Sequence, residues 1–209
     1  NEQVGEDMII NWLSSPVYDA YGATSLPASN ILSSTGSNGV NNNPTGDANR
    51  KNTTITDLQR MRTYFLTIDR WFEGKMHAML TPQQEAEIFP ANDLVTQTAM
   101  QMVTEEERRN GVMYKAQGWK LMTRSSVVNV ANDGTIKVPG EALVATDDFA
   151  SLFWYEGAVE YAPGGTYPFF KAKDPLYQGD VFSFLTFSGG RARRKDYKGV
   201  ALLKQDKTA

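Results

Sequence analysis

Residues 155–205, YEGAVEYAPGGTYPFFKAKDPLYQGDVFSFLTFSGGRARRKDYKGVALLKQ, limit the choice of fold more than any other part of the chain. They hold two apolar segments of strand length, 181–187 and 200–203, joined by a Gly189-Gly190 turn and a dense basic run. In 181–187, alternation puts Phe182 and Phe184 on one face and Val181, Leu185 and Phe187 on the other. Both faces are apolar, which predicts a central strand covered on both sides. Twelve of the 23 aromatic residues lie between Phe149 and Phe187, and they read as core rather than as a ligand platform. No catalytic constellation accompanies these strands. A chain that concentrates its signal in strands and a charged connector is built to fit against other protein.

The rest of the chain divides around one low-complexity segment. In residues 33–54, 17 of 22 are Ser, Thr, Asn, Gly or Pro, with too little apolar surface to offset ordering entropy. They predict a loop or linker between an N-terminal arm or helix, residues 1–32, and a body over residues 55–209. In the arm, Met8, Ile9, Ile10, Trp12 and Leu13 precede Pro16 and Pro27, a short helix leading into an extended piece.

The body opens with Thr54 and Asp57 in capping-box spacing, then Leu58, Met61, Phe65 and Ile68 on one helical face. Residues 76–80 predict a strand. Thr81-Pro82-Gln83-Gln84 predicts a second helix start. One longer helix is expected from about Asp93 to Arg109, closed by Gly111. Strands are expected at 112–116, 119–123, 127–130 and 135–138, with turns at Gly118 and Asn132-Asp133-Gly134. Residues 147–154 read as one or two helical turns, with Asp147-Asp148 at their start. The sum is an α+β fold with a mostly antiparallel central sheet flanked by helices.

Composition excludes several chemistries. With no cysteine there is no disulfide, thiolate zinc site or cysteine nucleophile. A single histidine, His77, excludes multi-histidine metal sites, and its place in KMHAML reads as structural. Gly74-Lys75 lacks the other elements of a phosphate-binding loop, and no GxSxG elbow exists. Glu105-Glu106-Glu107 reads as a solvated helix face. No apolar run approaches roughly 18 residues, the length of a membrane span. The expectation is no catalysis, no cofactor, no metal and no membrane association. The net charge of −3 gives no general affinity for nucleic acid.

Within residues 191–198, five of eight are cationic: Arg191, Arg193, Arg194, Lys195 and Lys198. Three readings fit. The residues can neutralise phosphates, grip carboxylates of a neighbouring subunit, or simply cover a solvated hairpin tip.

The order of segments resembles the major capsid protein of tailed bacteriophages, the Hong Kong 97-type fold. DPLYQGDVFSFLTFSGGRARRKDYKGVALLKQ is similar to the end of such proteins, where Gly-Asp leads into a strand and an Arg-rich turn precedes a closing D-x-K-G-V strand. TGDANRKNTTITDLQRMRTYFLTIDRWFEGKMHAMLTPQQEAEIF resembles the helix-strand-helix that opens the axial domain, and NGVMYKAQGWKLMTRSSVV its later part. Together these span about residues 46–205.

The resemblance implies a virion shell subunit that forms pentamers and hexamers around packaged DNA, which it contacts non-specifically. It also implies scaffolding and portal partners and assembly in the host bacterial cytoplasm. It places the five cations where neighbours meet or near the lumen. Fewer than 55 residues precede the axial-domain motifs, so the chain is expected to lack the N-terminal arm, extended loop and spine helix of that family. A nanocompartment shell with the same fold is one alternative. A surface carbohydrate-binding or adhesin module stacking sugars on Trp119, Trp154 and Tyr167 is another.

Overall fold

The computed structural model describes residues 10, 13, 26–39, 50–125, 127–131, 133–137, 141–174, 176 and 179–206. Of the expected N-terminal helix, only Ile10 and Leu13 lie within them; both are buried. Nine strands and four α-helices are seen among the described residues. The strands are β1 (Ile31–Ser33), β2 (Met76–Leu80), β3 (Tyr114–Ala116), β4 (Trp119–Thr123), β5 (Val128–Val130), β6 (Asp148–Tyr155), β7 (Val159–Asp174), β8 (Gly179–Ala192) and β9 (Val200–Lys204). The helices are α1 (Ile55–Thr67), α2 (Pro82–Ile88), α3 (Leu94–Gln101) and α4 (Glu105–Arg109).

Seven strands make one mixed sheet in the order β1-β9-β6-β2-β4-β3, with β5 also pairing β6. The β1–β9 and β2–β4 pairs are parallel and the others antiparallel. Strand parity divides the core in two. Met76, Ala78 and Leu80 of β2, Phe153 of β6 and Ala201 and Leu203 of β9 face the side that carries Leu58, Met61 and Phe65 of α1 and Ile88 of α2. Met79, Ala150, Leu152, Trp154, Val200 and Leu202 face the other side, against Ile10, Leu13, Val128 and Val130. Both faces are covered, so these strands are apolar almost throughout.

The helix starts obey their local chemistry. Asp57 accepts from the Thr54 N–H at 2.9 Å and the Thr54 hydroxyl at 3.0 Å. Thr81 caps α2, and its partner Gln84 is buried, accepting from Ser151 of β6 and donating to the Leu203 carbonyl at 3.2 Å. Gln84 thus ties the helix to two central strands through groups that would otherwise be unsatisfied. Trp119 is fully buried; its indole donates to the Leu58 carbonyl at 3.3 Å and meets Phe65, Trp71 and Phe153 edge-on. Gln117 and Gly118, with φ of 52° and 84°, make the two-residue turn that aims it inward.

Several expectations fail. The helix expected over 93–109 is two, because Thr104 takes an extended conformation and starts α4 with its own capping box to Glu107. Residues 147–154 form β6, a central strand, not helical turns. Their apolar residues, Phe149, Ala150, Leu152, Phe153 and Trp154, broken only by Ser151, fit a strand buried on both sides as well as a short buried helix, and periodicity alone does not separate the two. At 135–138 only an isolated bridge of Ile136 with Val130 is found among the described residues. Gly189-Gly190 is not a turn but part of β8, opposite Ala162 and Tyr161.

Candidate functional site

The largest departure from expectation is the C-terminal aromatic segment. Residues 181–187 are not central: among the described residues β8 pairs only with β7, in a separate two-stranded sheet. Register places Phe170 opposite Phe182 and Pro168 opposite Phe184, on one face of this hairpin. Tyr167 opposite Leu185, with Phe169 and Phe187, occupies the other. All are exposed, Phe182 at 67% and Phe184 at 69%. The Phe170 and Phe182 rings lie 4.7 Å apart, and Tyr167 meets Phe187 edge-on at 6.0 Å. These contacts stiffen the ribbon without covering it. Pro163 and Pro168 are tolerated in β7 because both strands of a two-stranded ribbon are edges.

At the root of the hairpin the chain folds into the basic segment. The Arg193 N–H donates to the Ala158 carbonyl at 2.8 Å, closing the root. Arg191 reaches Glu160 at 3.0 Å, and Arg193 lies 3.9 Å from the same carboxylate. Arg194 grips Asp196 through Nε and Nη2 at 2.9 and 2.8 Å, and this holds the Asp196 carboxyl well below the usual carboxylate range. Tyr197, at φ of 51°, turns inward and is buried, while the Asn30 amide donates to the Tyr197 and Val200 carbonyls. Lys195 and Lys198 are exposed. The five cations therefore ring one anchored turn instead of a loose hairpin tip.

The other sequence candidates go to structural places. Glu107 bonds Lys115 at 2.7 Å, which with the Thr104 cap lowers its pKa to about 2; Glu105 and Glu106 are exposed. His77 is half-buried and stacks on Trp154 at 5.6 Å, and burial with nearby Lys120 lowers its pKa. Asp147 and Asp148 are buried beside Arg50 and Lys137 instead of capping a helix. Trp119 and Trp154 are both buried, which removes two of the three aromatics offered for sugar stacking. Among the described residues, no three His, Asp or Glu side chains gather where they could hold a metal. Of the long hairpin the sequence signals only 181–187; β7, which contains Pro163, Gly164, Gly165 and Pro168, carries no strand signal of its own.

No protein-family model and no curated protein matches the sequence. Structural likeness is clear. The capsid of Ralstonia phage GP4 matches with a TM-score of 0.64 at 14% identity, covering 100% of this chain and 64% of that one. The capsid structure of the cyanophage P-SCSP1u matches with a TM-score of 0.57 at 14% identity, covering 98% and 62%. The fold is that of phage capsid proteins, an α+β fold as the resemblance implied. The chain spans somewhat less than two thirds of the length of these two capsid chains.

Proposed function

We propose that this chain is the structural subunit, or part of it, of a bacteriophage or prophage icosahedral capsid. It is a non-enzymatic tile that associates with copies of itself into pentamers and hexamers around packaged DNA. Scaffolding and portal proteins assist it in the host bacterial cytoplasm, and the virion is its final location.

The observation that carries this reading is the β7–β8 hairpin. A two-stranded ribbon is marginal by itself in water, and contiguous aromatic surface on this scale marks an interaction site. Both faces carry aromatics, so a partner must cover both. In a shell of identical subunits the partner is another copy, engaged through a heterologous contact that closes into rings. The capsid fold of the structural neighbours supports that choice.

Electron microscopy of the full-length protein, expressed with any scaffold encoded beside it, tests the proposal. Closed shells of uniform size are expected. Monomeric protein at high concentration with the hairpin intact, across all scaffold conditions, would overturn it.

A further inference from the structure

A cavity of about 260 Å³ opens beside the root of the hairpin, lined by Arg70, Arg193, Arg194 and Lys198 together with Phe72 and Tyr155. The four cations come from two segments far apart in sequence, and each is positioned by its backbone. Arg70 follows α1, where Asp69 adopts φ of 54° and the Arg70 N–H closes back on the Phe65 carbonyl at 2.9 Å. Arg194 is oriented by Asp196, whose Oδ1 also accepts from the Lys198 N–H at 3.2 Å. Phe72 stacks on Tyr155 with centroids 4.4 Å apart, forming an apolar wall. Gly157 completes the lining, and a Cβ there would lie 2.6 Å from the Tyr155 ring.

We propose that this cavity binds a phosphate group, taken either from inorganic phosphate or from a nucleic-acid backbone. Cations gathered in a concave site with apolar walls focus a positive potential on whatever enters. The charge balance favours phosphate over one more carboxylate. Asp196 already serves Arg194 and Glu160 lies 3.9 Å from Arg193, yet two further cations, Arg70 and Lys198, line the same volume, and the buried Nε of Arg70 has no hydrogen-bond partner among the described residues. Inorganic phosphate offers four acceptor oxygens and up to two charges, and a backbone phosphodiester two non-bridging oxygens and one charge, which suits donors arriving from separate segments. Binding is a property of the single chain and does not depend on the shell reading.

The test is titration of the chain at low salt with inorganic phosphate, followed by phosphorus line width and calorimetry, and in parallel with a short labelled DNA duplex and with a glutamate-rich peptide. Saturable phosphate binding is expected. Arg70→Gln and Lys198→Gln should each weaken it roughly tenfold or more, with Arg109→Gln on α4 as an unchanged control. Thermal melts confirm that the variants fold, and if one does not, the other decides.

DNA binding that phosphate displaces and the same variants weaken identifies a backbone phosphate as the source. Phosphate binding without DNA binding identifies the free anion. The proposal is overturned if phosphate does not bind, if both folded variants bind it unchanged, or if only a glutamate-rich peptide binds. The last result would make the cavity a receptor for carboxylates. Shell formation is not read in this assay, so either proposal can fail without the other.

Discussion

Arg50 and Asp148 form an ion pair sealed from solvent, with Nε 2.5 Å from Oδ1 and both side chains at most 3% exposed. Arg50 also donates to the Ala145 and Asp147 carbonyls at 2.9 and 3.2 Å, and Lys204 stands 3.8 Å from the other Asp148 oxygen. The pair fastens the end of the Asn-rich segment to the start of β6. Burial raises the Asp148 pKa despite Arg50 and Lys204.

Removing Arg50 alone leaves a buried carboxylate with less compensation. Arg50→Met is therefore expected to cost about 3–5 kcal/mol at neutral pH. A group whose pKa is raised by folding contributes stability at low pH that is lost as pH rises through the folded value. The deficit of the variant should thus shrink toward pH 4. Urea unfolding at pH 4 and 7 measures it, and an equal deficit at both would refute the assignment.

Asp57 titrates the opposite way. Burial alone would raise its pKa, but hydrogen bonds from Thr35, the Thr54 N–H and Arg60 outweigh that and lower it. Its contribution is present above the unfolded carboxylate value near 3.9 and is lost as pH falls through the folded one. Asp57→Asn should cost about 1–2 kcal/mol at pH 7, with the gap to wild type narrowing at pH 3. A gap that widens on acidification would contradict the sign.

The hairpin aromatics should matter for association and little for folding. Phe182→Ser with Phe184→Ser is expected to change subunit stability by about 0.5 kcal/mol or less, because both rings are already exposed. Shell formation should disappear. Scanning calorimetry and light scattering of the same preparations separate the two effects, and undiminished assembly would exclude the hairpin as a contact.

Charge reversal at the root gives a second assembly test. Arg193→Glu with Arg194→Glu should leave the chain folded, since both side chains are exposed. It places new acids beside Glu160 and Asp196, so assembly should fall even where folding survives. Circular dichroism with sedimentation velocity reads both, and intact assembly would remove these arginines from the interface.

Local rules carried far in this chain. The Thr54 and Thr81 caps, strands 76–80 and 119–123, and the turn at Gly118 occur where side-chain chemistry and periodicity put them. Thr104 and Glu107 were legible as a cap too, but the apolar spacing across 93–109 concealed the break between α3 and α4. The five cations stood out as a run. Arg70, which joins three of them around the cavity, gave no signal, because its relation to them is set by the end of α1 packing near β6.

What the sequence determined alone is whatever depends on neighbours a few residues away: caps, turns, strand parity and the α+β class. What only the tertiary structure decided is which apolar faces are covered. Residues 148–155 and 181–187 are both rich in apolar side chains, and the sequence puts helical turns at the first and a covered central strand at the second. Yet the first is a strand between two core layers and the second stands in solvent on a two-stranded ribbon. Parity says that a strand has two faces, whereas burial depends on segments from elsewhere in the chain that reach them. Over residues 182–187 of β8, all of them exposed, none of the described residues supplies that cover.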